Sequence, residues 1–287
     1  RKNLLYNKRG QSYSRLGLYQ QAIRDYGKAI EVDATNVESY VNRGSTYNTL
    51  GKLSMAVEDF DKAIELDPAN DVASSNRDVV VKALVEEYLA RGRSYYNSGN
   101  YQEAIGYYDK AIALDSTKAA ASLKEDAVMK GSIQQYFDRG YAYYALGDYL
   151  KAIVDYDKVI ELDSVNADAY YNRGLSYSKL GQNIEAINDY DRVLGLDLPG
   201  SQRVDVYIER GLSNVRLGRF QQAIRSYSLA IEIDPNNVNA YYFRGLTYDN
   251  LREYQQAIRD FDKVLELDPH HEKARTFREY AQDSLVE

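Results

Sequence analysis

Residues 6–33 read YNKRGQSYSRLGLYQQAIRDYGKAIEVD. Tyr6, Gly10, Tyr13 and Leu16 recur at spacings of three and four, and so do Ala22, Ile23, Tyr26, Ala29 and Ile30. Each stretch therefore sets its apolar residues along one face of a helix of about fourteen residues. Gly17 falls between the two, where a chain leaving a helix turns through the left-handed region that glycine enters freely. Gly10 and Ala22 are small where the paired helices must approach, and the aromatic rings fill the space around that contact.

The segment is one of seven. Tyr, Arg and Gly stand in the same relation at Tyr6/Arg9/Gly10, Tyr40/Arg43/Gly44, Tyr88/Arg91/Gly92, Tyr136/Arg139/Gly140, Tyr170/Arg173/Gly174, Tyr207/Arg210/Gly211 and Tyr241/Arg244/Gly245. Ala follows each Gly at a fixed distance, from Ala22 to Ala257, and then an aromatic, from Tyr26 to Phe261. An Asp closes each unit, from Asp33 through Asp115 and Asp197 to Asp268. A hairpin of this kind cannot bury its apolar faces alone, so neighbours must stack into a solenoid. Successive glycines lie 34, 48, 48, 34, 37 and 34 residues apart. The regular period is thus broken by two inserts, 71–84 and 119–132, and by three extra residues before the sixth unit. Both inserts are rich in helix formers, which predicts lengthened helices flanking the third unit, with Gly131-Ser132 ending the second extension and capping the next helix. Asn36, Asn70, Asn166 and Asn237 stand at N-cap positions. After Pro269, residues 272–287 place Ala274, Phe277, Ala281 and Leu285 on one face, as a C-terminal capping helix would.

On these residues the chain resembles the tetratricopeptide repeat (TPR) family over 3–271. Tyr stands in every unit for the family's Trp, and Arg in every unit for its usual Leu before the Gly. The closing Pro survives as Pro68, Pro235 and Pro269. The units are 3–36, 37–70, 85–118, 133–166, 167–200, 204–237 and 238–271, a Tyr/Arg-rich subtype with no composition break between them. The resemblance implies an all-α fold: a solenoid of seven helix-turn-helix hairpins in a right-handed superhelix, closed by the capping helix. An Asp of the second helix (Asp25, Asp59, Asp155, Asp189, Asp260) is expected to pair with the Arg of the first helix in the same unit. Tyr107 and Ser226 replace it in the third and sixth units, so Arg91 and Arg210 should lack that partner.

Composition narrows the chemistry. With 43 acidic and 36 basic residues the formal charge is −7, which offers no basic stripe to a nucleic-acid backbone. The absence of cysteine excludes disulfides, thiolate metal sites and a cysteine nucleophile. No apolar run approaches a bilayer's thickness. His270 and His271, the only histidines, are adjacent and lack a third ligand or nucleophile nearby, so they read as exposed loop residues. No phosphate-binding glycine loop is present, and the carboxylates recur unit by unit as structural residues do. The reading is a binding protein with no enzymatic activity, cofactor or metal. Localisation is left open: cytoplasmic is the expectation, exported or periplasmic if a leader has been trimmed ahead of Arg1.

The resemblance also implies a groove lined by the first helices. In the first two units it is polar, through Asn7, Lys8, Gln11, Arg15, Glu38, Asn42, Ser45 and Asn48. From the fourth onward it carries Phe137, Tyr141, Tyr144, Tyr171, Leu175, Ile208, Leu212, Tyr242 and Phe243, with Asp138, Asp168, Asp205 and Glu209 among them. Such a stripe suits a partner peptide or helix with apolar anchors and basic flanks, and Asn42 and Asn172 are placed to grip its backbone. The family's two-carboxylate clamp for chaperone C-termini would need Lys, Asn and Arg where this chain has Asn7, Gln11, Glu86 and Ala90, or Phe137, Tyr141, Asp205 and Glu209. Only Asn42 or Asn172 matches, so that ligand is disfavoured. The alternatives are self-association of a structural scaffold, and the targeting region of a larger protein.

Overall fold

The computed structural model describes the backbone of residues 2–119, 125–196 and 198–286, and the side chains of all of these but 115–119, 125–131 and 286. Most of the second insert and the closing residues Asp115 and Asp197 thus fall, wholly or in their side chains, outside the described residues. Among the described residues every regular element is an α-helix. The chain divides into two compact units, Arg1–Gln135 and Tyr136–Glu287.

The first unit contains α1 (Lys2–Arg15), α2 (Tyr19–Val32), α3 (Val37–Thr49), α4 (Leu53–Leu66), α5 (Asp71–Asn97), α6 (Tyr101–Ala119) and the start of α7 (Glu125–Leu146). The second holds the rest of α7, then α8 (Tyr149–Leu162), α9 (Ala167–Lys179), α10 (Asn183–Leu194), α11 (Gly200–Arg216), α12 (Phe220–Ile233), α13 (Val238–Asn250), α14 (Tyr254–Leu267) and α15 (Glu272–Val286). Within each unit a first helix packs on its second helix, and that second helix packs on the next first helix. First helices also touch each other, α1 with α3 and α3 with α5, then α9 with α11, α11 with α13 and α13 with α15. Among the described residues successive second helices make no such contact, so the first helices crowd the hollow side of each stack.

Small residues set the hairpin. A Cβ added to Gly10 would lie 2.7 Å from Tyr26 Cε1, and one on Gly174 2.7 Å from Tyr190 Cε1, so the second helix lays its ring on the first helix's backbone. Tyr26, Phe60, Tyr156, Tyr190, Tyr227 and Phe261 are fully buried this way. Each ring of that size stabilises by roughly 1.5–3 kcal/mol. Six hairpins turn at a glycine with positive φ, Gly17 at 74° for one, but the last turns at Arg252, φ 58°. Leu16 lies just beyond α1 and is 72% exposed rather than part of its apolar face.

Asn36, Asn70, Asn166 and Asn237 each accept a backbone N–H, from Ser39, Ala73, Ala169 and Ala240 at 2.9–3.0 Å. His271 takes the same place before α15: its Nδ1 accepts from the Ala274 N–H at 3.0 Å, and its ring packs 4.8 Å from Tyr242. It is therefore a half-buried helix cap, not an exposed loop residue, because an imidazole nitrogen can accept where Asn Oδ1 does.

The five expected Arg–Asp pairs form, each through Nε and Nη2 to the two carboxylate oxygens: Arg9–Asp25, Arg43–Asp59, Arg139–Asp155, Arg173–Asp189 and Arg244–Asp260. Arg91 pairs with Glu87 at 2.6 Å instead, and Arg210 donates to Ser226 Oγ at 3.1 Å. The guanidiniums also lie against tyrosine rings, Arg173 at 5.4 and 5.9 Å from those of Tyr170 and Tyr177. In the four pairs other than Arg9–Asp25, whose guanidinium is largely exposed, removing one partner strands the other charge and costs about 3–5 kcal/mol. A second set of contacts links neighbouring hairpins: Arg77 to Asp61, Arg173 Nη1 to Asp157 at 2.5 Å, Arg210 Nη1 to Asp191 at 2.7 Å and Arg278 to Asp262 at 3.1 Å. One guanidinium thus ties together three helices.

The first insert does lengthen a helix: α5 runs 27 residues. Its opening turns repeat the docking face of α3, with Ala73 fully buried and Arg77 on Asp61, before Gly92 receives the ring of Tyr108. The other helix does not break at Gly131-Ser132 as expected, since α7 continues through both; one glycine inside a helix costs only about 1 kcal/mol. The three extra residues before the sixth hairpin start α11 early, at Gly200. On α15 Ala274 and Ala281 are buried and Phe277 packs 6.1 Å from Phe261, while Leu285 is 49% exposed and off the packed face.

Candidate partner-binding groove

In the second unit, side chains from three first helices converge. Burial pushes the Tyr171 phenol up in pKa, and so do Glu209 and Asp205 of α11, with Tyr144 and Tyr141 of α7 also close enough to act. Burial likewise raises the Glu209 carboxyl, against the opposing pull of Arg216 and Lys179. The rings stand on a packed base: Tyr171 is 6.1 Å from Tyr190, Tyr144 is 5.4 Å from Tyr149, and Phe137 is 5.8 Å from both Tyr141 and Tyr156. Between α9 and α11 lies a cleft of about 180 Å³ lined by Asp168, Tyr171, Leu198, Gln202 and Asp205 among others. Gln202 was not expected here, because the sixth hairpin was read as beginning at residue 204. The three extra residues ahead of it were the signal.

Asp168 and Asp205 are exposed and Glu209 half-buried, and among the described residues none of the three makes a salt bridge or side-chain hydrogen bond. On the first unit's hollow face two pairs of polar side chains bond to each other. Asn42 Nδ2 donates to Asn7 Oδ1 at 3.1 Å, and Gln11 Nε2 to Glu38 at 2.8 Å.

The expected groove residues do not share one setting. Tyr141 is exposed, while Phe137, Tyr144, Tyr171, Leu175, Leu212, Tyr242 and Phe243 are half-buried. Ile208 is buried in a cluster with Val204, Tyr207 and Tyr227. Asn172 is buried and donates Nδ2 to its own helix at the Asp168 carbonyl, 2.7 Å away. Tyr242 and Phe243 lie 5.6 Å apart, and Tyr242 reaches Phe277 of α15 at 6.5 Å, so this pair supports the closing helix. Among the described residues no helix is long and apolar enough to cross a membrane.

Family models place the same repeats. The TPR repeat model matches 10–51, 140–181 and 211–251, and tetratricopeptide repeat models match 37–70, 85–118, 167–197 and 238–271. No curated protein matches the chain in sequence. Among solved structures, the crystal structure of MamA is similar at 26% identity and TM-score 0.53, over 63% of this chain and 96% of MamA. MamA from Desulfovibrio magneticus RS-1 aligns at 21% identity and TM-score 0.55, over 65% and 96%. YrrB, described as a TPR protein with an unusual peptide-binding site, aligns at 19% identity and TM-score 0.46, over 88% and 97%. With fifteen helices in paired order among the described residues and repeat models matched along its length, the chain belongs to the tetratricopeptide repeat family.

Proposed function

We propose that the chain is an interaction scaffold, not a catalyst, and that the first-helix face of its second unit holds a segment of a partner protein carrying apolar anchors and basic flanks. The observation that supports this most is the set Asp168, Asp205 and Glu209: three carboxylates with no ion-pair partner among the described residues, set among half-buried tyrosines. Of the three, half-buried Glu209 is the one whose charge costs stability through burial, and a cation arriving from outside offsets that cost. Tyr171 and Tyr144 supply rigid apolar area with a polar tip, which suits them as anchors, while the carboxylates orient the partner and speed its approach.

Selection of random displayed peptides on the full chain tests the reading. Enriched sequences should pair apolar residues with flanking Lys or Arg, and should bind Tyr171→Ala and Leu212→Glu at least tenfold more weakly. Peptides without basic residues, or equal binding to both variants, would overturn it.

A further inference from the structure

On the side of the second unit away from that groove, the sixth hairpin departs from its neighbours at two positions that meet in space. Three residues after the conserved-phase Gly the other hairpins all carry Tyr, as at Tyr47, Tyr95, Tyr143 and Tyr177, but the sixth carries Asn214. Where five hairpins place the Asp that receives the guanidinium, the sixth carries Ser226. The ring and the carboxylate are lost together, and a cleft of about 310 Å³ lies there, lined by Asp191, Arg210, Asn214, Arg219, Arg225 and Ser226 among others.

We infer that this cleft binds a phosphate group. Arg210 gives Nε to Ser226 Oγ at 3.1 Å and Nη1 to Asp191 at 2.7 Å, but its Nη2 donates to no group among the described residues. In the fifth hairpin the same nitrogen of Arg173 donates to Asp189 at 2.6 Å. Ser226 Oγ is itself engaged, donating to the Gln222 carbonyl at 3.0 Å. Arg219 and Arg225 are exposed at the rim and make no salt bridge. Three arginines and one carboxylate line the cleft, an excess of two positive charges. A phosphate monoester carries nearly two negative charges at neutral pH and three acceptor oxygens, whereas a carboxylate would leave one positive charge unmatched. The planar forks of Arg210, Arg219 and Arg225 suit oxyanions in a way a lysine cluster would not.

Calorimetric titration of the full chain with inorganic phosphate and with phosphoserine, at constant ionic strength, tests the inference. Binding of either is expected in the wild type, equal affinity pointing to the free ion and a phosphoserine preference to a phosphorylated partner. The double variant Asn214→Tyr/Ser226→Asp, which installs the residues the fifth hairpin uses, should weaken binding at least tenfold. The exposed single variant Arg225→Gln should weaken it severalfold, and serves if the double variant fails to fold. Absence of binding to the wild type, or unchanged affinity in both variants, would overturn the assignment. Peptide binding in the groove is scored separately and is not expected to change.

Discussion

The two units are built on one junction and differ on one face. At the junction, Arg43 with Asp59 in the first unit and Arg173 with Asp189 in the second make the same two hydrogen bonds and lie against the same two tyrosine positions. On the hollow face, the first unit bonds Asn42 to Asn7 and Gln11 to Glu38, while the second sets among tyrosines Asp168, Asp205 and Glu209, which form no ion pair among the described residues. The difference teaches that the residues holding the stack and those meeting a partner are separable on each first helix. The junction residues pair with second-helix carboxylates, whereas the groove rings rest on second-helix rings and take no part in those ion pairs.

Substitutions at three places, the junction, the groove and a turn, would break or sharpen that separation. The largest effect is expected at the shared junction: Arg43→Met and Arg173→Met should each destabilise by about 3–5 kcal/mol, since each leaves a buried carboxylate unpaired. Denaturant unfolding of the full chain would show it, and Arg173→Met should be the worse because Asp157 is stranded as well. A mild effect in one unit only would mean that the two junctions are not equivalent.

Next in size is the groove. Tyr171→Ala should weaken binding of a selected basic peptide by about 2 kcal/mol, as loss of a central aromatic anchor does. Gln11→Ala in the first unit should change it by less than about 0.5 kcal/mol, as a half-buried position away from the contact does. Glu209 adds a pH dependence whose sign follows from its burial. Its folded-state pKa lies above the ordinary 4.5, so the folded chain binds the proton more readily than the unfolded one. Stability from this group therefore grows as pH falls through the raised pKa, while affinity for a basic peptide falls over the same range. Glu209→Gln should make the free chain more stable at neutral pH and flatten the acid loss of peptide affinity. Thermal unfolding and titrations at several pH values would check the two halves.

The smallest effect concerns a turn. Each described hairpin of the first unit turns at a glycine, but the second unit's last turns at Arg252 in the left-handed region. Arg252→Gly should relieve that strain and stabilise by about 1 kcal/mol, measured as a raised midpoint of thermal unfolding. A lowered midpoint would mean that the Arg252 side chain contributes more than its backbone costs.

Much of the fold was legible because helical spacing and a fixed period survive any surface change. The Asn caps and the Arg–Asp pairs within a hairpin follow from single repeats. The contacts between hairpins were harder to see. Asp61, Asp157, Asp191 and Asp262 all stand two residues after the position that pairs internally, but their meaning depends on which hairpin stacks next. Asn76-Arg77 repeats Asn42-Arg43 at the regular period, a sign that α5 opens with its own docking face. Of the groove, the residue types were readable and the depths were not. Ile208 and Asn172 occupy groove positions by register, yet neighbouring helices cover them, which depends on how closely α9 and α11 approach.

Ring-labelled tyrosine NMR of the full chain, titrated with a selected basic peptide, asks most directly where the partner sits. The expected result is movement of the Tyr141, Tyr144 and Tyr171 resonances with those of Tyr6, Tyr13 and Tyr40 unmoved. Movement confined to the first unit's tyrosines would contradict it.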